Sequence, residues 1–258
     1  MWRHIAESTR GDTHLADDSP CQDSSQVVVL GSDADETLVA CVADGAGSAK
    51  HSAIGSATAS ASIVDSATAH FERQGSFAGL DLEDVVRWCE DARAKLAEDA
   101  AARGVDLRAL ATTLCAAIVS PTCSFFFQIG DGAIILMKND VSGVAFWPQS
   151  GEYANTTNFL TSNEYRDHLQ FSSTSNGFSD VALLTDGMER LALRFDSRTP
   201  HRPFFEPLFQ ALRTNDNSRD LADDLRKFLQ SESVRSRSDD DKTLILASRI
   251  CCQIDHAD

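Results

Sequence analysis

Two aspartates, far apart in the chain, each stand directly after an apolar run and before a glycine. Asp44 follows the run 38–43, and Asp186 follows the run 181–185. A strand that ends in a carboxylate presents an oxygen ligand at a sheet edge, and the glycine behind it lets the backbone come close. Because a bare carboxylate is costly to bury, the fold must bring both strand ends to water, a proton or a cation.

Two further aspartates occupy similar positions. Asp131 lies in a Gly-Asp-Gly turn between two apolar runs, and Asp240 lies in an aspartate triplet just before the run 244–247. Four strand ends that each carry an aspartate predict one acidic pocket. Carboxylates that crowd together must take up protons or bind cations. Oxygen ligands combined with water favour Mg²⁺ or Mn²⁺.

The excess of acidic over basic residues limits the kinds of binding partner that are expected. The chain has 23 basic and 39 acidic residues, for a formal net charge of −16. Nucleic acids and anionic membranes need a basic face, so neither is expected as a partner. No apolar run reaches the length of a membrane span, and the first residues lack the apolar segment of a signal peptide. Seven scattered cysteines without a Cys-x-x-Cys pair fit reduced thiols, so the cytoplasm is the expected compartment.

Hydrophobic periodicity predicts the elements. Strands are expected at 26–30, 37–43, 110–119, 123–129, 132–138, 143–147, 180–185 and 242–249, and helices at 49–71, 81–102, 187–194, 204–213 and 218–231. The three strands between 110 and 138 are expected to be antiparallel, with the Gly-Asp-Gly turn as a hairpin. Residues 148–179 are polar and are expected to form an insertion or flap with short strands.

The order of these elements predicts the fold class. Strands are followed by two helices, more strands, more helices and a last strand, and short connections favour antiparallel pairing. Two helical layers are available to cover two sheets. We therefore expect an α+β fold: a four-layer α-β-β-α sandwich of two mostly antiparallel sheets flanked by helices, as one domain over 1–258.

Five motifs in this order resemble the metal-dependent serine/threonine protein phosphatases of the type 2C class. They are Gln22-Asp23, Asp44-Gly45, Gly130-Asp131-Gly132, Asp186-Gly187 and Asp240-Asp241-Lys242-Thr243. The first motif, read as Pro-Cys-Gln-Asp, and the last one look like the bacterial branch of that class. Each motif alone is common in turns, whereas the ordered set, spread over about residues 10 to 250, is fairly specific.

The resemblance implies a role for each acidic position. Asp44 matches the aspartate that bridges two metal ions, and Gly45 matches the glycine whose carbonyl binds one of them. Asp186 and Asp240 match the other carboxylate ligands of the binuclear centre, so these aspartates carry the catalytic centre. Asp131 matches the aspartate associated with a third, weaker metal ion.

The first motif carries two departures from the family. Asp23 matches an aspartate that supports the centre without binding metal, and Gln22 stands where the family usually has glutamate. The family often places a phosphate-binding arginine where Asp18 stands, so His14 or Arg10 is the candidate for this role, with His14 preferred. Residues 239 and 241 are expected to be solvated neighbours of Asp240.

The chemistry of such a centre fits the residues present. Two ions about 4 Å apart lower the pKa of a bridging water and clamp the phosphoryl oxygens, so no protein nucleophile is needed. The expected function is Mg²⁺- or Mn²⁺-dependent hydrolysis of phosphoserine and phosphothreonine in proteins, with a phosphoprotein substrate and a cognate kinase as partners. Two alternatives stay open: a catalytically weak relative that binds a phosphoprotein or kinase as a regulatory module, and a hydrolase of small phosphoesters.

Overall fold

The computed structural model describes residues 1–139, 141–149, 157–215 and 217–250. The strands are β1 (Trp2–Thr9), β2 (Asp23–Leu30), β3 (Thr37–Asp44), β4 (Leu114–Val119), β5 (Ser124–Ile129), β6 (Ala133–Lys138), β7 (Val141–Val144), β8 (Gln170–Thr174), β9 (Asp180–Leu184), β10 (Leu193–Arg194), β11 (Thr199–Pro200) and β12 (Lys242–Arg249). The helices are α1 (Asp12–Ala16), α2 (Ser52–Gln74), α3 (Leu82–Arg103), α4 (Tyr165–His168), α5 (Glu189–Ala192), α6 (Arg202–Thr214), α7 (Ser218–Leu229) and α8 (Glu232–Arg235).

Ten of the strands form two five-stranded sheets. The first sheet has the order β1-β12-β9-β6-β7, and the second has the order β2-β3-β4-β5-β8. Neighbouring strands in both sheets are antiparallel. Short connections join β2 to β3 and β4 to β5, as antiparallel pairing allows, whereas long segments separate other neighbours such as β3 and β4.

Apolar side chains fill three layers between and outside the sheets. The inner faces of the two sheets meet through residues such as Leu38, Val42, Ile134 and Ile245. Helices α2 and α3 cover the second sheet, with residues such as Ile63, Trp88 and Leu96. Helices α6 and α7 cover the first sheet, with residues such as Phe205, Phe209 and Leu225. The predicted four-layer α-β-β-α sandwich is confirmed.

Capping residues define the ends of α3, and small buried residues let α2 pack closely on the second sheet. Asp81 and Asp84 form a reciprocal capping box at the start of α3, which satisfies backbone donors there. Gly104 ends the same helix in the left-handed conformation, with φ 64°. Helix α2 packs against the second sheet through small buried residues, among them Ala59 and Ser60.

The structure corrects three predictions about elements. Strand β1 was not expected, and it pairs with β12 along its whole length. Strands β5 and β6 do not form a hairpin, because β6 joins the other sheet and pairs with β7 and β9. The predicted helix 187–194 is shorter: a 3₁₀ turn at Asp186–Met188 leads into α5 and the two-residue strand β10.

The domain limits 1–258 and the insertion at 148–179 stay predictions. Residues 150–156 of that insertion lie outside the described residues, and part of the remainder forms α4 and β8. Within the described ranges, no helix is long and apolar enough to cross a membrane.

Candidate metal centre

The strand register brings the four predicted aspartates to one end of the sandwich. In the second sheet Asp44, the last residue of β3, pairs with Asp23, the first residue of β2. In the first sheet the end of β9 lies between the beginnings of β6 and β12, so Asp186 is close to the turns that carry Asp131 and Asp240. The turn at Asp131 crosses from one sheet to the other, which places this residue between them.

A cleft of about 900 Å³ opens at this end. Asp44, Asp131, Asp186 and Asp240 all line the cleft. His14, Gln22 and Gly45 line it as well, together with Lys50 and Thr157, whose positions the sequence motifs did not indicate. Asp23 is buried behind the cleft, where its Oδ2 accepts a hydrogen bond from Thr185 Oγ1 at 2.7 Å.

Two carboxylates at the centre, Asp23 and Asp186, each have an oxygen without a hydrogen-bond donor among the described residues. Asp23 Oδ1 and Asp186 Oδ1 are buried and accept no hydrogen bond in the described structure. Burial, together with neighbouring carboxylates, raises the pKa of Asp186 to about 6 and raises the pKa of Asp44 well above its usual range. Burial also raises the pKa of Asp131, and it raises the pKa of Asp23 to about 7. The carboxylates of the centre therefore lack enough positive charge to balance them, and a bound cation would supply it.

The donor set suits a hard cation that keeps water ligands. Among the described residues, no group of three or more His, Cys, Asp or Glu side chains is arranged so that it could hold a metal ion. Mg²⁺ usually keeps several waters and takes only one or two carboxylates. Carboxylates with an adjacent backbone carbonyl and open space for water therefore fit Mg²⁺ or Mn²⁺.

The backbone of Asp44 is fixed by its neighbours. Asp44 N donates to Thr113 Oγ1 at 2.9 Å, and Asp44 O accepts from Thr113 N at 2.8 Å. Thr112 Oγ1 also donates to Asp44 O at 3.0 Å. A Cβ atom added at Gly45 would lie 2.7 Å from Gln22 O and from Ser52 O, so only glycine fits there. Packing alone thus requires the glycine that follows Asp44.

Asp241 is the centre of a buried network that sequence reasoning missed. Its side chain is 2% exposed, contrary to the expectation of a solvated neighbour of Asp240. Asp241 Oδ1 accepts from Gly11 N at 2.7 Å, and Oδ2 accepts from Gln22 N at 2.5 Å. His14 Nδ1 lies 2.8 Å from Asp241 Oδ1. The triplet before β12 thus gives Asp239 and Asp240 to the cleft and Asp241 to the scaffold around it.

His14 and Arg10, the two candidates for phosphate binding, occupy different places. His14 is 8% exposed and lines the cleft. Its partial burial lowers the imidazole pKa, but the hydrogen bond and charge of Asp241 outweigh this and raise it overall. Arg10 lines a separate cavity, and its Nη1 lies 3.5 Å from Asp18 Oδ1. Only His14 is placed to meet a ligand in the cleft.

Two side chains hold the turn that carries Asp131. Glu189 Oε1 accepts from Gly132 N at 3.1 Å, and Thr157 Oγ1 donates to Asp131 Oδ2 at 2.9 Å. Gly130 and Gly132 have φ of 95° and 89°, a conformation that L side chains rarely adopt. Burial raises the pKa of Glu189 to about 7. No sequence motif indicated Glu189 or Thr157, because their roles depend on contacts between distant segments.

Comparison with known proteins assigns the chain to a family. The family described as protein phosphatase 2C matches residues 10–230. The chain belongs to the protein phosphatase 2C family. It is 35% identical over 251 residues to serine/threonine-protein phosphatase 3 of Escherichia coli (strain K12), a match that covers 95% of this chain and 98% of that protein. The predicted protein serine/threonine phosphatase is confirmed at the level of the family.

Solved structures share the fold. The catalytic domain of the serine/threonine protein phosphatase PstP, in complex with two manganese ions, has a TM-score of 0.62 at 18% identity, over 97% of this chain and 99% of that one. Stp1 of Staphylococcus aureus has a TM-score of 0.62 at 16% identity, over 97% and 96% of the two chains. RsbX in complex with magnesium has a TM-score of 0.54 at 14% identity, over 96% and 94%.

Proposed function

We propose that this phosphatase hydrolyses phosphoserine and phosphothreonine in proteins with two Mg²⁺ or Mn²⁺ ions. Asp44, the Gly45 carbonyl, Asp186 and Asp240 would hold the two ions, and Asp131 a third, weaker one. The observation that carries the proposal is the convergence of four aspartates on one cleft where acidic residues outnumber basic ones. The metal complexes of PstP and RsbX support the same class of cofactor.

The bound ions would supply an activated water and clamp the phosphoryl oxygens. The chain itself fixes the ligands: Thr112 and Thr113 hold the backbone of Asp44, and Thr185 holds Asp23 behind it. His14 faces the cleft with a raised pKa, so it can present positive charge to a phosphate.

Nucleophilic attack by the thiol of Cys21 is disfavoured. Cys21, next to Gln22, is the cysteine nearest in sequence to the residues of the cleft. Burial and the nearby carboxylates raise the pKa of the Cys21 thiol far above neutrality, which leaves it protonated and unreactive. Attack by water at a metal centre needs no such residue.

Phosphorylated proteins are the proposed substrates, and the kinase that phosphorylates them is the proposed functional partner. The E. coli relative is a serine/threonine-protein phosphatase by name, which supports this substrate class. A cytoplasmic location stays a prediction from the sequence.

Kinetics with two kinds of substrate test the proposal. We expect turnover of an aryl phosphate and of phosphoserine peptides with Mn²⁺, and loss of both with excess chelator. Activity that survives exhaustive chelation and dialysis would refute the metal mechanism. Turnover of the aryl phosphate alone would indicate a hydrolase of small phosphoesters. Tight binding of phosphopeptides without turnover would indicate a regulatory module.

A further inference from the structure

Lys50 is a positive charge in a cleft lined mainly by acids. Its neighbours along the cleft wall include six aspartates: Asp17, Asp44, Asp131, Asp186, Asp239 and Asp240. Among the described residues that line the cleft, Lys50 is the sole lysine or arginine, and His14 the sole histidine. Arg10 adds no positive charge to the cleft, because it does not line the cleft and it pairs with Asp18.

The ammonium group of Lys50 is available to a ligand. In the described part of the chain it makes no ion pair and no hydrogen bond, and the residue is exposed. Other lysines are engaged: Lys95 lies 3.4 Å from Asp65 Oδ2, and Lys227 lies 3.1 Å from Asp224 Oδ1. An ammonium group without an acid partner can form charge-assisted hydrogen bonds with an anionic ligand without first breaking an ion pair.

The backbone that carries Lys50 is held firmly in place. Ala46 N donates to Ala111 O at 2.9 Å, and His51 N donates to Ala109 O at 2.8 Å. Ala49 N donates to Ala46 O at 2.8 Å and closes a turn just before Lys50. The side chain thus extends from a fixed point five residues after the last residue of Asp44-Gly45. Because the backbone is already fixed, binding a ligand has to order the Lys50 side chain only and not the loop that carries it.

We propose that Lys50 binds the phosphoryl oxygens of the phosphomonoester substrate, an inference that rests on the proposed function. A phosphate monoester carries close to two negative charges at neutral pH, and the acidic wall would repel it where bound cations do not compensate. Lys50 supplies a positive charge from the protein at that wall. It acts as a substrate-binding residue and not as a metal ligand.

The test compares Lys50→Gln, Lys50→Arg and the control Lys227→Gln, which changes an exposed lysine that does not line the cleft. With an aryl phosphate and Mn²⁺, Lys50→Gln should raise KM roughly tenfold with a smaller effect on kcat, the pattern of lost ground-state binding. Lys50→Arg keeps the charge and should restore most of the affinity. Lys227→Gln should match the wild type.

Two thermal-unfolding measurements separate substrate binding from a structural role. Inorganic phosphate, added in the presence of Mg²⁺, should raise the Tm of the wild type and of Lys227→Gln, and should raise the Tm of Lys50→Gln clearly less, as a roughly tenfold weaker affinity requires. Mg²⁺ alone should raise the Tm of Lys50→Gln at least as much as that of the wild type, because removing a cation cannot weaken an acidic metal site electrostatically.

Equal phosphate shifts in wild type and Lys50→Gln, or no phosphate shift in the wild type, would overturn the proposal. So would loss of the Mg²⁺ shift in Lys50→Gln, which would show a structural role. If the wild type hydrolyses no phosphoester, the proposed function fails, and the phosphate measurement still decides whether Lys50 binds the anion.

Discussion

The backbone of Asp44 is fixed by hydrogen bonds that do not involve its carboxylate, so the charge of the side chain can be changed while these bonds are kept. Asp44→Asn keeps the shape of the residue and the three backbone hydrogen bonds to Thr112 and Thr113. It removes a charge that the proposal assigns to both metal ions. We expect a loss in kcat of roughly 10²–10⁴, since several kcal/mol of charge stabilisation are at stake.

Asp186→Asn should behave in the same way, and the double variant should lose less than the product of the two single losses, because both residues act on one centre. Circular dichroism checks that each variant is folded. A folded Asp44→Asn protein with a rate near that of the wild type would refute the assignment of Asp44 as a ligand.

His14 and Gln22 allow a test of how the first motif works. If His14 binds the substrate phosphate, His14→Ala should raise KM with a smaller effect on kcat, whereas Arg10→Ala, a change outside the cleft, should leave KM unchanged. Gln22→Glu should then do little. Steady-state kinetics over a Mn²⁺ series would decide, and strong activation by Gln22→Glu with an unchanged KM in His14→Ala would favour the weak-relative alternative.

At the residue scale the sequence separated strand-end aspartates from other acids, but it did not separate neighbours within the triplet 239–241. Which of these side chains enters the cleft depends on the orientation of β12. That strand is buried along nearly its whole length, so its hydropathy shows no alternation that would reveal the orientation. Asp241 was therefore expected to be solvated, whereas it is buried.

Helix α2 lies so close to the segment before β4 that a glycine is required in its interior. A Cβ atom at Gly55 would lie 2.2 Å from Leu110 O. Glycine in a helix usually costs about 1 kcal/mol relative to alanine, but here Gly55→Ala must move the helix or the segment. We expect Gly55→Ala to destabilise the fold by about 1–3 kcal/mol, the usual cost of overpacking.

The matched control is Gly143→Ala in β7, where an added Cβ would have no atom within 4 Å and φ is not positive. It should be neutral or slightly stabilising. Urea unfolding of both variants provides the comparison. A Gly55→Ala protein as stable as the wild type would show that α2 is not seated as closely as the structure places it.

At the element scale, strong periodicity predicted the long helices and most of the strands. Strand β1 was missed because only Trp2, Ile5 and Thr9 are buried along it, so the alternation expected of a strand is absent. Its position depends on the eight-residue pairing with β12, at the other end of the chain. A single-sequence pattern does not contain such long-range pairing.

At the scale of the whole molecule, the order of elements was sufficient to predict the four layers. It was not sufficient to predict which strand belongs to which sheet. The turn at Gly130-Asp131-Gly132 looks like a hairpin in sequence, yet it connects β5 in one sheet to β6 in the other. The positive φ angles of its two glycines allow this change of direction. The crossing places Asp131 between the sheets, and a local hairpin would not do so.

The charge distribution of the whole molecule leads to a last prediction. The chain has a formal net charge of −16, and in the cleft burial and neighbouring carboxylates raise the pKa values of Asp44 and Asp186. A cation that binds the native state, and binds the unfolded chain weakly, stabilises the fold by mass action, by about 2.7 kcal/mol at 100 times its Kd. For a protein of this size that corresponds to a rise in Tm of roughly 5–10 °C.

Thermal unfolding with and without saturating MnCl₂ measures this effect, with NaCl at equal ionic strength to account for screening of the surface charge. The Asp44→Asn, Asp186→Asn double variant should lose most of the shift, because it removes ligand charge and leaves the surface unchanged. A shift that NaCl reproduces in full, or one that the double variant retains, would place the effect at the surface and count against a metal centre in the cleft.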